Sequence, residues 1–395
     1  MYEYREEDKT LIFHCDKDMQ LFTSTIDILT SITNNEMTHK IQEEAERIIY
    51  NEKTGLCRFA LSFIALGLKN LKNIDICKEN EKYKSINGIV YTKDEGSLIF
   101  CPSGKTGIVK ILDGVSVIDS DAFISCQLTE IAIPDSVEII GDNTFGDCRN
   151  LKHVTFTQNS HLHTVDTSAF YGCKSLKELT LPNSVVEMGN TVFQKSGIEK
   201  FTFPTSIEYP GNYLFYDSNI REIIVPKVLF QKRRYFDILE SCFDNSDSNS
   251  GAFIFTVGNA IPIVVPKNVE AGTYKSYNIK NSIDAFLSQK DAIPPDLYKY
   301  GESELSKEDA AFLQYQFYQT KSSRRSLILK WERIAKRKAK QGEEAFMQFL
   351  SLDVWKPDKL QEILKIAEEN GFAVATGYIL EKLKKESRTK RNIPL

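Results

Sequence analysis

The sequence predicts an α+β chain, a solenoid of repeated coils carrying a parallel β-sheet, followed by an all-α tail. Three observations predict it. Residues 128–219 repeat themselves in segments of 23, 25, 22 and 22 residues. Each segment opens with the same apolar–x–x–apolar–x–apolar string. From about Ile283 onward the apolar spacing becomes that of helices. Self-similarity at about 20–29 residues marks a coil that cannot bury its apolar face alone, so successive coils must stack.

Within each segment the positions have separate jobs. The opening strings are Leu128, Ile131, Ile133; Leu151, Val154, Phe156; Leu176, Leu179, Leu181; and Ile198, Phe201, Phe203. Alternation of period two sends Ile131 and Ile133 inward and leaves Glu130 and Ala132 outside. Pro134, Pro182, Pro204 and Pro226 follow the strands at once, where a missing N–H ends pairing without harming a ladder. A second apolar pair follows, Val137 with Ile140 or Val185 with Met188. It precedes an aromatic that recurs in phase as Phe123, Phe145, Phe170, Phe193 and Phe215. These five should stack as one buried column, because a repeat solenoid encloses a continuous interior.

The strings IPDSVEIIGDNTFGDC and LPNSVVEMGNTVFQKS resemble the BspA-like leucine-rich-repeat family, with its pattern IP-x-SV-x-x-IG-x-x-AF-x-x-C. The resemblance covers at least residues 83–226. YKSINGIVYTKDEGSLIFCPSGKTGIVKI looks like the hairpin-and-strand entry unit of that family. It implies a leucine-rich-repeat solenoid with a parallel β-sheet on its concave face, used to bind other proteins. It also raises a cell-surface adhesin or host-interaction protein as an alternative role.

In chain order, residues 1–82 read as an N-terminal capping region, with a degenerate first coil as the alternative reading. Leu11–Phe13 reads as a strand. Ile41–Ile49 is compatible with a short amphipathic helix. The apolar run Leu56–Leu71 fits either a helix or a coil whose aromatic position is Phe59 or Phe63, since periodicity alone does not separate them. Residues 83–282 read as the solenoid and its C-terminal cap. There LFQKRRYFDILESCF has helical spacing, Asp244–Gly251 is a polar loop, and FIFTVGNAIPIVVPK returns to strand. Residues 283–395 read as five helices. Ser306–Asp309 resembles a capping box opening a helix that runs through Tyr318. Leu327, Ile328, Trp331, Ile334 and Ala335 mark the second helix, and Ala345, Phe346, Phe349 and Leu350 the third. Pro357 opens the fourth, and Asn370–Gly371 stops it. The fifth runs from Phe372 to about Glu386 with Ile379, Leu380 and Leu383 inward. This tail resembles helical segments that follow leucine-rich repeats in some bacterial proteins, a resemblance that supplies no function.

Composition excludes some classes. With 395 residues, 42% hydrophobic and 26% charged, the chain can bury a large core in two or more folding units. A formal net charge of -4 argues against nucleic-acid binding by the protein as a whole. The first ten residues are charged and hold no apolar core, so a secretion signal is not read there and a cytoplasmic chain is expected. A secreted or surface location is the alternative if a leader has been removed. There is no run of 18 or more apolar residues, hence no expected membrane span. The cysteines are Cys15, Cys57, Cys77, Cys101, Cys126, Cys148, Cys173 and Cys242. Cys126, Cys148 and Cys173 share one repeat phase, which suits small buried side chains better than disulfides.

Candidate chemistry is weighed against plainer readings. Ser103–Gly104–Lys105–Thr106 suggests a phosphate loop, but Ile99 stands where that motif needs Gly, and the context is a hairpin. His161 and His163 with Cys173 lack the tight ligand pairs of a zinc site and fall in the insertion of the longest coil. Asp244, Ser246, Asp247 and Asn249 resemble a calcium loop, yet position twelve is Phe255 rather than Glu. The 5 histidines lie beside no nucleophile. Paired carboxylates such as Glu178 with Glu222 share a face without an evident pocket. The expectation is a non-enzymatic chain with no cofactor and no metal.

Two features remain as candidate binding surfaces. The first is the outer face of the sheet. There a column Glu130, His153, Glu178, Lys200, Glu222 should stand beside a column Ala132, Thr155, Thr180, Thr202, Ile224. The second column carries little bulk, so an extended peptide or a helix edge could approach it; plain solvated strand positions are the competing reading. The second feature is a basic stretch with Lys321, Arg324, Arg325, Lys330, Arg333, Lys336, Arg337, Lys338 and Lys340 against the single acid Glu332. Trp331 and Ile334 occupy its other side. Such a helix could recruit an acidic partner, nucleic acid or an anionic membrane surface, although a charge run is commonly just a solvated face. The functional expectation is a protein–protein interaction scaffold with a partner on the concave sheet. A nucleic-acid adaptor through 321–340 is a further alternative.

Overall fold

The structure is a computed structural model that describes residues 2–29, 36–56, 58–231, 235–243, 251–288 and 294–391. It divides into two compact units. One comprises Met1–Asn249, Ile254–Ile261 and Glu270–Gly272; the other comprises Ser250–Phe253, Pro262–Val269 and Thr273–Leu395. Cys57 and the expected polar loop with Asp244, Ser246, Asp247 and Asn249 lie outside the described residues.

The first unit opens with strands β1 (Glu3–Arg5) and β2 (Thr10–Phe13), helices α1 (Asp16–Leu29) and α2 (Glu36–Glu44), and strand β3 (Arg47–Tyr50). Helix α3 (Arg58–Gly67) and strand β4 (Asn73–Ile76) follow. β2, β3 and β4 pair in parallel, so that Leu11, Ile48 and Ile74 lie in register. All three are buried. These are coils whose return path is helical. The stretch expected as one helix over Ile41–Ile49 divides here: α2 stops at Glu44 and β3 starts at Arg47. The β-branched pair Ile48–Ile49 fits the pleated position between two parallel strands better than another helical turn. Leu56–Leu71, left open by periodicity, contains α3. That helix is fastened to the repeats by an ion pair from Arg58 to Asp119 and by the Ser62 hydroxyl on Asp121, 2.9 Å away.

The hairpin β5 (Tyr83–Ile86), β6 (Ile89–Thr92) and β7 (Ser97–Phe100) leads into the coils, each with two short strands. The pairs are β8 (Ile108–Lys110) with β9 (Val117–Ile118), and β10 (Glu130–Ala132) with β11 (Ile139–Ile140). Next come β12 (His153–Thr155) with β13 (Thr164–Val165), and β14 (Glu178–Leu179) with β15 (Glu187–Met188). β16 (Lys200–Thr202) and β17 (Glu222–Val225) complete the series. Strand β10 is flanked in parallel by β8 and β12, with Ile131 opposite Val154. The second members form their own parallel ladder, β9–β11–β13–β15. Each proline after a strand accepts a turn hydrogen bond on its carbonyl, as in Val137 N–H to Pro134 at 3.1 Å and Val185 N–H to Pro182 at 3.2 Å.

The phenylalanine column is present. Ring centroids of Phe123 and Phe145, Phe145 and Phe170, Phe170 and Phe193, and Phe193 and Phe215 are 5.2, 5.2, 5.8 and 5.3 Å apart, with planes within 20°. Its backbone explains the regularity. Residues two before each Phe (Asp121, Asn143, Ser168, Thr191, Tyr213) and two after it (Ser125, Asp147, Gly172, Lys195, Asp217) all have φ between 51° and 68°. This left-handed conformation costs a residue with a side chain about 1–2 kcal/mol. It turns alternate N–H groups toward the next coil: Asn143, Phe145 and Asp147 donate to Thr167, Ala169 and Tyr171 at 2.8, 2.8 and 2.7 Å. The bonds run between coils, so the cost is met only where a neighbour is stacked. The in-phase thiols do the same: Cys148 Sγ donates to Phe123 O at 3.0 Å and Cys173 Sγ to Phe145 O at 3.1 Å.

Beyond β17 come helices α4 (Lys227–Gln231) and α5 (Tyr235–Ser241), then strand β18 (Ala252–Val257), whose residues 254–257 pair in parallel with β17.

The second unit holds strand β19 (Ile263–Pro266), helix α6 (Tyr274–Leu287), a 3-10 turn at Leu297–Tyr300, and helices α7 to α11. These are α7 (Glu304–Tyr318), α8 (Lys321–Lys340), α9 (Glu343–Leu350), α10 (Pro357–Glu369) and α11 (Ala373–Arg391). α6 runs through position 283, where the composition changes. α7 begins three residues upstream of the expected capping box: Ser303 is the cap, accepting the Ser306 N–H at 3.0 Å. Ser306 is instead buried inside the helix, its hydroxyl donating to Gly251 O at 3.0 Å. Leu327, Trp331, Ile334, Phe346, Phe349, Leu360, Ile363 and Ile379 form the core of the bundle. Leu380, expected inward, is exposed, because one residue after Ile379 is a 100° turn away from the buried stripe.

Candidate functional site

The outer face of the first parallel ladder brings the expected residues into register. Glu130 lies beside His153, and Ala132 beside Thr155. Glu178, Lys200 and Glu222 stand in line, as do Thr202 and Ile224. Ala132, His153, Thr155, Glu178, Thr180, Lys200 and Thr202 are exposed, whereas Glu130, Glu222 and Ile224 are half-buried. Lys200 separates the two carboxylates and pairs with Glu222 at 3.0 Å. One position further out, Lys177 and Arg221 pair with Glu199 at 3.0 and 3.9 Å.

The expected columns are longer at both ends and interrupted in the middle. β8 adds Ile108 beside Glu130 and Lys110 beside Ala132, and β18 adds Ile254 and Thr256 beside Glu222 and Ile224. Ile108 stands 22 residues before Glu130, so the repeat period alone could have found it. The interruption falls between β12 and β14. One sheet contains β8, β10 and β12, and a separate one starts at β14. Thr180 therefore lies just past the two-residue strand β14, not within a five-coil ladder.

The cause is the 25-residue coil. In place of a proline, Phe156 is followed by Thr157, and the extra residues tie back to the preceding coil. Thr157 Oγ1 donates to Asp135, and His161 N–H to Asp135 O at 3.0 Å. Drawn that way, the end of β12 parts from residues 178–183. A cleft of about 520 Å3 opens, lined on one side by His153–Gln158 and on the other by Glu178–Asn183. Phe156 is half-buried there, while its counterparts Ile133, Leu181 and Phe203 are buried.

The basic stretch is helix α8, with Leu327, Trp331, Ile334 and Ala335 on its buried side. Its charge is largely answered by α7, which the local sequence count left out. Lys330 pairs with Glu304 at 2.6 Å, Arg333 with Glu308, and Arg337 with Asp309 at 2.7 Å. Lys336 pairs with Glu332 at 2.7 Å, and Lys338 lies over the Phe312 ring at 4.8 Å. Hydrogen bonds from Lys330 and Lys307 hold the Glu304 carboxyl down at a pKa of about 2. Burial raises that of Asp309, against the pull of Arg337 and Lys338. Among the described residues, Lys321, Arg324, Arg325 and Lys340 make no ion pair and are exposed. The signal that could have revealed the arrangement is the Glu304–x3–Glu308–Asp309 spacing on the preceding helix.

The other motifs have structural occupations. Gly104 is a turn whose N–H donates to Leu71 O at 2.8 Å, and Ser103 is buried with its hydroxyl on Leu68 O at 3.0 Å. His163 Nδ1 is 2.7 Å from Thr164 Oγ1. Among the described residues, no group of His, Cys, Asp and Glu is placed to hold a metal ion, and no helix is long and apolar enough to cross a membrane.

Comparison with known proteins addresses the repeats. The family model for the BspA type leucine rich repeat region matches residues 116–250 in six copies. No curated protein matches the chain. Solved structures with similarity include the pneumococcal vaccine antigen PcpA, at 25% identity over 46% of this chain and 47% of that chain, TM-score 0.37. Another is a leucine rich cell surface protein from Faecalibacterium prausnitzii, at 24% identity over 54% and 45%, TM-score 0.34. A third is the T. pallidum leucine rich repeat protein, at 20% identity over 44% and 78%, TM-score 0.32. The chain thus spans about half the length of the first two. Six matched copies, in-phase phenylalanines and two parallel ladders agree: residues 116–250 of this chain match a BspA type leucine rich repeat region.

Proposed function

We propose that this protein is a non-catalytic interaction scaffold whose receptor surface is the outer face of the β8–β18 strands. Leucine-rich-repeat proteins are generally protein-interaction or adhesin-like scaffolds, which supports the class. The observation that carries the reading for this chain is the exposed column Ala132, Thr155, Thr180 and Thr202. These four side chains are small, so a partner can approach the sheet closely. The adjacent column, Glu130, His153, Glu178, Lys200 and Glu222, supplies charges of both signs along one edge. Mixed charges beside a low ridge favour a protein partner over a polyanion, because phosphate binding needs a concentration of one sign.

Helix α8 is assigned a structural part in this reading. Lys330, Arg333 and Arg337 hold α7, which leaves few cations for nucleic acid. The test uses the full chain and its Ala132→Arg/Thr202→Arg variant as baits against a cell extract. Both positions are exposed, so folding should persist, as circular dichroism can check. Loss of the retained proteins on the variant is the expected outcome. An unchanged set of proteins on both baits would overturn the reading.

A further inference from the structure

Helix α8 carries more positive charge than its partner helix answers. Lys330, Arg333 and Arg337 pair with acids of α7. Lys321, Arg324, Arg325 and Lys340 are exposed and make no ion pair among the described residues. At 3.6 residues per turn these four fall within one arc of about 160° of the helix, and Ile328 and Leu329 stand inside that arc. Leu329 is 73% exposed and Ile328 37%, whereas Leu327 and Trp331 on the other side are buried in the bundle. The single acid in the arc, Glu332, pairs with Lys336 at 2.7 Å. A lone exposed leucine needs no explanation. Two adjacent aliphatic side chains ringed by unanswered cations do.

The wider charge distribution has the same sense. Residues 273–395 hold 23 Lys and Arg against 17 Asp and Glu, a net charge of +6, in a chain whose total is -4. A basic segment on an otherwise acidic chain is drawn toward an anionic surface in one orientation. An open depression of about 740 Å3 adjoins the arc, lined by Leu329, Glu332, Arg333, Lys336 and Lys340 among others. Nucleic acid would satisfy the cations and leave Leu329 against a polar backbone. A folded acidic protein would need a pocket shaped for Ile328 and Leu329. A lipid surface needs no such fit, because its phosphates meet the cations while aliphatic side chains and the long Lys and Arg stems enter the acyl boundary.

We propose that the outer arc of α8 docks on an anionic membrane surface, with Lys321, Arg324, Arg325 and Lys340 at the phosphate headgroups and Ile328 and Leu329 inserted at the acyl boundary. The helix lies along the surface and keeps its other side in the bundle core. Each basic residue near such a leaflet strengthens the attraction about fivefold. Charge and apolar insertion act together, since either signal alone holds a protein weakly. No residue of the sheet face takes part, so this docking stands or falls separately from the receptor reading.

Co-sedimentation of the full chain with vesicles tests it. Vesicles of phosphatidylcholine and phosphatidylglycerol in equal parts should retain the protein, and phosphatidylcholine alone should not. Arg324→Gln/Arg325→Gln should weaken retention at least about tenfold, and Leu329→Gln at least about threefold. All three positions are exposed, so unchanged circular dichroism should accompany both losses. Lys69→Gln/Lys174→Gln removes the same charge from exposed positions of the repeat part and should bind like the natural chain. No retention on the anionic vesicles, equal retention on the neutral ones, or an equal loss for the lysine variant overturns the proposal. Loss on the arginine variant with indifference to Leu329→Gln means adsorption by charge without insertion, and sinks it too. Random-sequence RNA bound more tightly than the vesicles through the same arginines would assign the arc to nucleic acid. Self-association in sedimentation velocity that disappears with those arginines would assign it to a second copy.

Discussion

Phe145 is held between Phe123 and Phe170 at 5.2 Å on either side, with no solvent exposure. Replacing it by alanine leaves a cavity that the two flanking rings cannot close, because each is fixed by its own coil. Phe145→Ala should cost about 3–5 kcal/mol. Chemical denaturation of both proteins measures this, and coincident midpoints would contradict the stacked column. The cysteines make a second residue-scale prediction. Burial raises the thiol pKa of Cys126, Cys148, Cys173 and Cys242. Since the thiolate is the reactive form, these four should resist alkylation in the native protein and react on unfolding, while half-buried Cys15 and Cys77 react sooner. Peptide mapping after timed alkylation separates the two groups. The left-handed residues around each Phe belong to this scale as well. They were not legible in the sequence, because nine of the ten are not glycine and their cost is repaid only by hydrogen bonds to a stacked coil.

Among the elements, α7 and α8 form an electrostatic unit. Glu304 has a folded pKa of about 2, below the roughly 4.3 of an unperturbed glutamate. The group binds its proton more readily when unfolded. Its contribution to stability is therefore present above about pH 4.3 and is lost as pH falls toward 2. Glu304 is about half exposed, so solvent screening keeps the effect small. As pH falls through that range, amide protection in α7 and α8, corrected for the intrinsic exchange rate, should fall less steeply for Glu304→Gln than for the natural chain. Parallel profiles would remove Glu304 from the account. The boundaries of these helices were readable where a cap or breaker acts locally, as at Pro357 and Gly371. They were misplaced where two candidates competed: Ser303 took the cap that Ser306 was expected to supply, since Ser306 is needed inside to bond Gly251.

For the molecule as a whole, the sequence by itself determined the kind of protein this is. A period near 22 residues, an in-phase aromatic and a proline behind most of the strands impose stacked coils, because like side chains can be buried only over like. The change to helical spacing likewise imposed a bundle on the tail. Only tertiary structure decided where the parallel sheet breaks and which cations remain available. The extra residues of one coil bond to the coil before it, and the cations of α8 bond to acids of another helix. Both results depend on contacts between segments distant in sequence, and a repeat pattern or a local charge count carries no record of such partners.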